Sequence, residues 1–294
     1  MIICCLALFI ATPSPSMADE TTKADETTKV DETKKLPLWQ VGVALGGLSV
    51  PHYVGSNQRY NLPFVFPAFI YRGDRLRANR EGVRGIFFSS KHFALDVGLA
   101  IGLPVDSSRN DARKGMTDIP LTGEIGPRVV TRLYGDGSGI DIFARIPWRI
   151  VGGIDGSAAG WTLEPSILIT NIKNLPWGLN AFASLGLKYG SEEYNNLFYG
   201  VEDRYSTSLR PAYRASRGIS WYSFVFSTGR KFNSKFSTRL YLQWQTLSGS
   251  EVADSPLVRN QNNYSVSVVL TWLPWKSKAT ESGIDRLPEP EGDI

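Results

Sequence analysis

The chain has 294 residues, a formal net charge of +4, and 28 Gly, 8 Trp, 12 Tyr and 14 Phe against only 3 Met and 2 His. Glycine with aromatic residues is typical of strands and turns, which disfavours a helix bundle. No run of 18 apolar residues follows the N-terminus, so a helical membrane protein is excluded. A β-barrel is not excluded, because alternating apolar and polar residues average to a low mean hydropathy.

Residues 1–18 predict a secretory signal peptide. An apolar run is followed by Ser16 and Ala18, small residues that suit signal peptidase, so we expect cleavage near Ala18. No Lys or Arg precedes the run, and a lipoprotein signal is the alternative. Cys4 and Cys5 precede most of the run, which disfavours that alternative. The mature chain would then hold no cysteine, and therefore no disulfide and no thiolate site.

Two polar segments flank the predicted folded body, 36–275. Residues 19–35 contain three near-copies of a charged hexapeptide without aromatic residues, which predicts a disordered leader. Residues 276–294 predict a polar C-terminal tail. The body carries 25 basic and 17 acidic residues, a balance that suits nucleic acid, anionic lipid or an anionic polymer. Export and the lack of a binding motif argue against nucleic acid.

Long stretches of period-2 alternation fill the body, for example from Phe93 to Leu103 and from Ile140 to Ile150. Segments of this length exceed the roughly 5–6 residues of a globular strand and match a tilted membrane crossing of about 9–11 residues. They predict an all-β fold, a transmembrane antiparallel up-and-down β-barrel, rather than a soluble sandwich with shorter strands. Twelve strands are predicted, with ten as the alternative because the third and fourth are weakest. The predicted strands are 38–48, 62–71, 74–80, 84–90, 92–103, 119–133, 139–151, 160–172, 178–190, 217–228, 235–248 and 262–275.

Loop lengths and tryptophans give the predicted barrel an orientation. With one exception, the odd-numbered connections are longer than their neighbours, as expected for extracellular loops against periplasmic turns. Tryptophans gather near both ends of the strands, which predicts two rows of interfacial anchors. The periplasmic row would contain Trp39, Trp177 and Trp275, and the outer row Trp148, Trp161, Trp221 and Trp244.

Charged residues recur on the face opposite the apolar one, where the lumen would lie. A charge at the bilayer midplane costs about 2–4 kcal/mol for Arg or Lys, so these side chains should face inward and pair across neighbouring strands. The predicted lumen network contains Glu124, Arg128, Arg132, Asp141, Arg145, Arg149, Glu164 and Lys188. Two interpretations stay open, a self-neutralising plug and a pore for small anionic solutes, because twelve strands lie between filled and open barrels.

The sequence predicts no catalytic, cofactor or metal site. Catalysis would need a base close to a nucleophile, but His52 lies in a predicted extracellular loop beside Ser56, and His92 lies at a periplasmic turn. The long loop 191–216 alternates aromatic residues with arginines. This composition suits recognition of a surface or partner, and it suits a loop folded into the barrel mouth, which we favour.

Five loop and strand motifs spread in order along the body resemble the MipA/OmpV family of outer-membrane proteins. They are Pro51-His52-Tyr53-Val54-Gly55-Ser56, Thr122-Gly123-Glu124-Ile125-Gly126-Pro127-Arg128, Phe198-Tyr199-Gly200-Val201, Pro211-Ala212-Tyr213-Arg214-Ala215 and Ala253-Asp254-Ser255-Pro256-Leu257-Val258. The resemblance implies a Gram-negative outer-membrane barrel that acts as a scaffold between a lytic murein transglycosylase and a murein synthase. It offers no catalytic residues. Two features depart from it, the leader and the 19 residues that follow Trp275.

Together, pattern and resemblance predict a non-enzymatic outer-membrane scaffold or adaptor for peptidoglycan-remodelling enzymes. Its expected partners are outer-membrane lipid, lipopolysaccharide and the two murein enzymes, which the leader and tail would meet in the periplasm. The alternatives are a narrow channel for small solutes or antibiotics, and a surface adhesin or antigen.

Overall fold

The chain forms a closed antiparallel β-barrel in a computed structural model that describes residues 36–79, 82–136, 138–282 and 287. Thirteen strand segments and one α-helix are found among these residues. The strands are β1 (Trp39–Pro51), β2 (Arg59–Arg72), β3 (Leu76–Asn79), β4 (Gly82–Ser89), β5 (Phe93–Gly102), β6 (Thr122–Tyr134), β7 (Asp141–Gly153), β8 (Ala158–Leu163), β9 (Ser166–Leu175), β10 (Leu179–Gly190), β11 (Gly218–Lys231), β12 (Phe236–Thr246) and β13 (Asn262–Lys276). The helix, α1, spans Glu192–Tyr199. No helix in the described part of the chain has the length and apolarity to cross a membrane.

The barrel has twelve strands, as predicted, because β8 and β9 are successive parts of one crossing. Both segments pair with β7 on one side and with β10 on the other. The predicted strand 160–172 is interrupted at Glu164 and Pro165, where Glu164 N–H donates to the Pro147 carbonyl at 3.0 Å. Proline has no N–H to donate to a ladder, so Pro165 falls where the strand breaks. Closure is made by β13 and β1, with Ser49 opposite Val266.

The two faces of each strand differ in chemistry as the alternation predicts. On β7, Ile146 and Trp148 point outward and are 44% and 41% exposed. Arg149, the next residue of the strand, points inward and is 6% exposed. The same rule places Leu45 of β1 opposite Val65 of β2 on the outer face. The outside of the barrel is therefore apolar, and the lumen holds the charges.

Both described ends of the chain lie at the end of the barrel with short turns, the predicted periplasmic side. Beyond β13 the chain continues to pair with the segment before β1, with Leu38 N–H donating to Ala279 at 2.9 Å and Glu281 N–H donating to Leu36 at 2.9 Å. Farther along the tail, Leu287 is buried in the barrel. Part of the predicted polar tail therefore belongs to the folded body. The predicted signal peptide 1–18 and leader 19–35 lie outside the described residues.

A charge placed on the outer face should destabilise the barrel far more than one placed in the lumen. Replacing Ile146 by Arg puts a cation against lipid near the middle of β7, so we expect the free energy of unfolding to fall by about 2–4 kcal/mol. The matched control is Gln243→Arg, since Gln243 is buried and lines the lumen cavity. Denaturant unfolding in lipid vesicles measures both. Equal losses for the two variants would contradict the assigned faces.

Candidate functional site

A cluster of four charges lies along the lumen side of neighbouring strands in the upper barrel, with three of them buried and Glu164 partly buried, and all four belong to the predicted network. Glu124 of β6, Arg149 of β7 and Lys188 of β10 sit at inward positions, and Glu164 sits at the break between β8 and β9. Lys188 Nζ lies 2.7 Å from Glu164 Oε1 and 3.7 Å from Glu124 Oε1. Arg149 Nη1 lies 3.3 Å from Glu124 Oε2 and 4.0 Å from Glu164 Oε1. Two acids and two bases neutralise each other and tie four consecutive crossings together.

Lys188 also connects this cluster to α1 above it. Its Nζ lies 3.2 Å from the hydroxyl oxygen of Tyr194, and it stands 4.9 Å from the Tyr194 ring centroid and 5.1 Å from that of Trp221. A buried ammonium against two aromatic rings is stabilised by cation–π attraction. Because Trp221 faces the lumen here, its predicted role as an outer interfacial anchor is wrong.

A second group of ion pairs lies lower in the barrel and contains three more predicted residues. Arg128 binds Asp96 in bidentate geometry, with Nε to Oδ1 at 3.0 Å and Nη2 to Oδ2 at 2.7 Å. Arg132 Nε lies 3.6 Å from Asp141 Oδ1, and Asp141 also accepts a hydrogen bond from the Asn171 amide. Asp96 was not predicted as a site residue, although the alternation already places it inward and the register sets it opposite Arg128.

The lumen between the upper ion cluster and the extracellular loops contains a cavity of about 240 Å³. Arg145, the last residue of the predicted network, lines it, and its Nε lies 3.4 Å from the Ser166 hydroxyl. Gln243 and Ser265 supply further polar groups, and Val50 supplies an apolar one. The space suits water or a small polar solute, and it is too small for a wide aqueous channel.

The extracellular loops fold over this cavity and form a packed cap. Tyr53 donates its hydroxyl to the Leu257 carbonyl at 2.7 Å, and Tyr199 donates to the Val54 carbonyl at 2.9 Å. Ser255 donates to the carbonyl of Tyr199 at 2.7 Å. Three of the motifs singled out in the sequence therefore meet in one buried cluster, so their residues hold the cap together.

The remaining motif residues shape the turns of the same cap. Gly55 adopts a φ of +107°, and a side chain there would press on Val258. Gly200 ends α1 with its N–H donating to the Asn196 carbonyl, and Tyr213 donates to Glu251 at 3.1 Å. Pro51 is the last residue of β1, and Asp254 and Pro256 lie in the turn around Ser255.

The predicted long loop 191–216 lies over the barrel mouth and contains the helix α1, which the alternation did not predict. Ser191 caps it by accepting a hydrogen bond from Tyr194 N–H at 3.3 Å, and Glu192 and Glu193 occupy the first turn. Ser, two acids and a closing Gly200 are ordinary helix signals. These helix signals are present in the sequence of the loop, although strand periodicity does not show them.

His52 is a structural residue of the cap. Its ring stacks on Tyr60 at 4.2 Å, and Nδ1 lies 3.1 Å from the Asn110 amide nitrogen. Burial lowers the pKa of His52, which favours the neutral ring that can accept this hydrogen bond. Ser56 is buried and donates to the carbonyl of Gln58. His92 lies in the turn after β4 at the opposite end, and the described residues include no group of three metal-binding side chains.

The other predicted tryptophan anchors lie on or near the outer face. Trp39, Trp177 and Trp275 belong to the end with short turns, and each has at least a third of its surface exposed. Trp148, Trp161 and Trp244 belong to the loop end, with Trp161 opposite the outward-facing Ile150.

A closed twelve-strand barrel with an apolar outer face and a charged, paired lumen defines the class of outer-membrane β-barrels. The family model described as MltA-interacting protein MipA matches residues 43–273, so the chain belongs to the MipA family. The chain is similar to outer membrane protein Omp26La of Vibrio anguillarum, with 25% identity over 207 residues, and to outer membrane protein OmpV of Vibrio cholerae serotype O1, with 25% identity over 210 residues. Each match covers 69% of this chain and 76% of the relative. The protein is an outer-membrane protein.

Removing Lys188 should destabilise the barrel strongly because Glu124 and Glu164 each lose one of their two cationic partners. We expect Lys188→Met to lower the free energy of unfolding by about 3–5 kcal/mol. The double variant Lys188→Met with Glu164→Gln should lose less than the sum of the single losses, because the two residues are coupled. Arg204→Met is the control, since the Arg204–Glu202 pair is exposed and should contribute about 1 kcal/mol or less. Additive losses in the double variant would contradict the coupling.

The cap should loosen at alkaline pH. Burial raises the pKa of Tyr53 to about 12 and the pKa of Tyr199 well above its usual value. In an unfolded chain tyrosine ionises near pH 10, so the stabilising effect of these phenols is complete below about pH 10 and is lost as pH rises towards about 12. Phenolate absorbance with limited proteolysis of the loops measures this. Tyr53→Phe should remove one late-titrating group, and an unchanged titration would contradict the assignment.

Proposed function

We propose that the protein is a non-enzymatic outer-membrane scaffold that holds a lytic murein transglycosylase on its periplasmic face. The family description, MltA-interacting protein, supports this partner class. The observation that carries the proposal is that ion pairs join neighbouring strands inside the wall and a packed cap of loops lies over the barrel mouth. Such a barrel is rigid enough to hold a partner protein in place, and the charged groups of its lumen form ion pairs with each other.

The periplasmic end offers the contact region. The described part of the chain enters the barrel at Leu36 and leaves it through a short ladder in which Pro37 faces Thr280. In the sequence, residues 19–35 precede this ladder and residues 283–294 follow it. Each segment contains acids and bases without aromatic residues, a composition that suits binding through salt bridges to a charged protein surface. A murein synthase would be the second client of the same face.

Binding in solution tests the scaffold role. Purified full-length barrel in detergent is mixed with a purified lytic murein transglycosylase, and affinity is measured by calorimetry or surface plasmon resonance. We expect binding that weakens when residues 19–35 or 288–294 are deleted, which leaves the buried Leu287 in place, and when salt is raised. The control is Leu209→Asp, an exposed change on the extracellular loops, which should leave affinity unchanged. Full affinity in both deletions would place the contact elsewhere, and no binding would refute the proposal.

A narrow channel is the second candidate, and the polar cavity of about 240 Å³ is the observation that favours it. Conductance in a planar bilayer separates the two functions. A scaffold with a closed lumen should give no stable openings. Stable openings that favour anions would support the channel.

A further inference from the structure

The barrel wall is incomplete beside the extracellular part of β2. Along its full length β2 pairs with β1, but on its other side it pairs with β3 only at Tyr71 and Arg72. β3 and β4 form a short hairpin, so no described strand lies beside residues 61–70 of β2 on that side. At the level of the hairpin, β2 and β5 are separated by three strand spacings, about 14 Å.

The sequence of β2 is adapted to this missing neighbour. Pro63 and Pro67 lie within the unpaired stretch and four residues apart, so both direct their backbone to the same side of the strand. The ladder to β1 is continuous past both positions, which fits prolines that face the open side. Proline within a strand is confined to edges, because it has no N–H to offer. A strand edge that lacks two backbone N–H donors is a weak template for pairing with another strand. It also leaves fewer unpaired polar groups in contact with an apolar medium, so the free-energy penalty is smaller.

β2 also lacks the polar inner face of the other strands. Its outward residues include Val65 and Phe69, which continue the lipid-facing belt. Its inward residues are apolar as well, and Leu62 remains 43% exposed although it points to the lumen. Phe64 and Phe66 stack at 5.2 Å along the same inner face, and the Phe64 ring occupies the space left by Gly46.

The opposite edge of the opening is formed by β5, whose lumen-facing side chains are small. β5 presents Gly98, Ala100 and Gly102 to the lumen, and Gly102 and Leu103 line the lumen cavity. At its extracellular end the opening is closed by the Tyr60 hydroxyl, which donates to the Pro104 carbonyl at 3.0 Å. The gap is therefore a window at membrane depth, bounded above by loops and below by the β3–β4 hairpin.

We propose that this window admits a hydrocarbon chain of an outer-leaflet lipid, which lies on Leu62, Phe64 and Phe66 inside the barrel. The window opens onto lipid, and its outer rim at Val65, Phe69 and Leu99 is continuous with the lipid-facing surface. An apolar inner wall next to that surface favours an acyl chain over water, and over a polar solute. The chain can come from a phospholipid or from lipopolysaccharide, since both carry the same hydrocarbon. This binding site is independent of the scaffold role.

Photocrosslinking of the full-length protein tests the window. A benzophenone amino acid is placed at Leu62 on the inner wall, at Val65 on the outer rim, or at Gln243 on the lumen side of β12, three strands away from β2, and the barrel is reconstituted in vesicles with labelled acyl chains. We expect adducts at Leu62 and Val65 and none at Gln243. Absence of adducts at Leu62 with adducts at Val65 would refute the proposal, and adducts at Gln243 would show lipid filling the lumen without using the window. Vesicles of phospholipid alone and vesicles with added lipopolysaccharide distinguish the two sources.

A blocking variant separates entry through the window from general exposure. Ala100→Trp places a bulky side chain on the lumen face of β5 beside the opening, at a position that is already packed. In that background the adduct at Leu62 should be lost while the adduct at Val65 persists. Should the larger side chain prevent folding, Gly98→Leu serves the same purpose, since a Cβ at Gly98 meets only the flexible Arg84 side chain, at 3.6 Å. An unchanged Leu62 adduct in the folded variant would contradict entry through this opening.

Discussion

Burial of charge inside a membrane-spanning wall is the constraint on which this structure depends. A charge in contact with hydrocarbon is costly, so a charged side chain in the membrane-spanning part of a strand should face the lumen, and a charge that is buried there needs a partner. Lys188 illustrates the solution, with Glu164 at 2.7 Å and two aromatic rings above it. The same contacts that neutralise the charge link the neighbouring crossings β6, β7, β8/β9 and β10. Electrostatic necessity and mechanical stiffness therefore have one origin.

The extracellular cap extends this arrangement to the loops. α1 rests on Lys188 through Tyr194, and the cap above it is built from neutral hydrogen bonds between buried tyrosines and backbone carbonyls. A buried tyrosine hydroxyl must donate a hydrogen bond, because an unpaired buried donor costs about 1–3 kcal/mol. Tyr53 and Tyr199 each meet that demand with the carbonyl of another loop or turn. Long loops that would otherwise be mobile are thereby held to one another and to the lumen charges.

The sequence predicted the barrel, its strand number and the inward charges, because a period of two assigns every residue of a strand to a face. It did not predict the ion-pair partners, which depend on register: Asp96 meets Arg128 only because β5 and β6 pair at that offset. Trp221 shows a second limit. A tryptophan at a strand end can pack on the lipid-facing side or on the lumen side. Trp221 lies on the lumen side, where it contacts the ammonium group of Lys188. Strand periodicity gives no signal for the helix α1, which the capping residues Ser191 and Gly200 do indicate.

β2 is the strand where the alternation rule fails, and the failure has a physical reading. A strand with lipid on one side and a wetted, charged lumen on the other should alternate, yet β2 is apolar on both faces and carries Pro63 and Pro67. Hydrocarbon on both sides would remove the need for alternation, and a missing neighbour would remove the need for two N–H donors. Each of these two conditions is met where the wall between β2 and β5 is open. The irregular sequence of β2 and the irregular topology beside it are thus two expressions of one local environment, in which lipid rather than a strand completes the barrel.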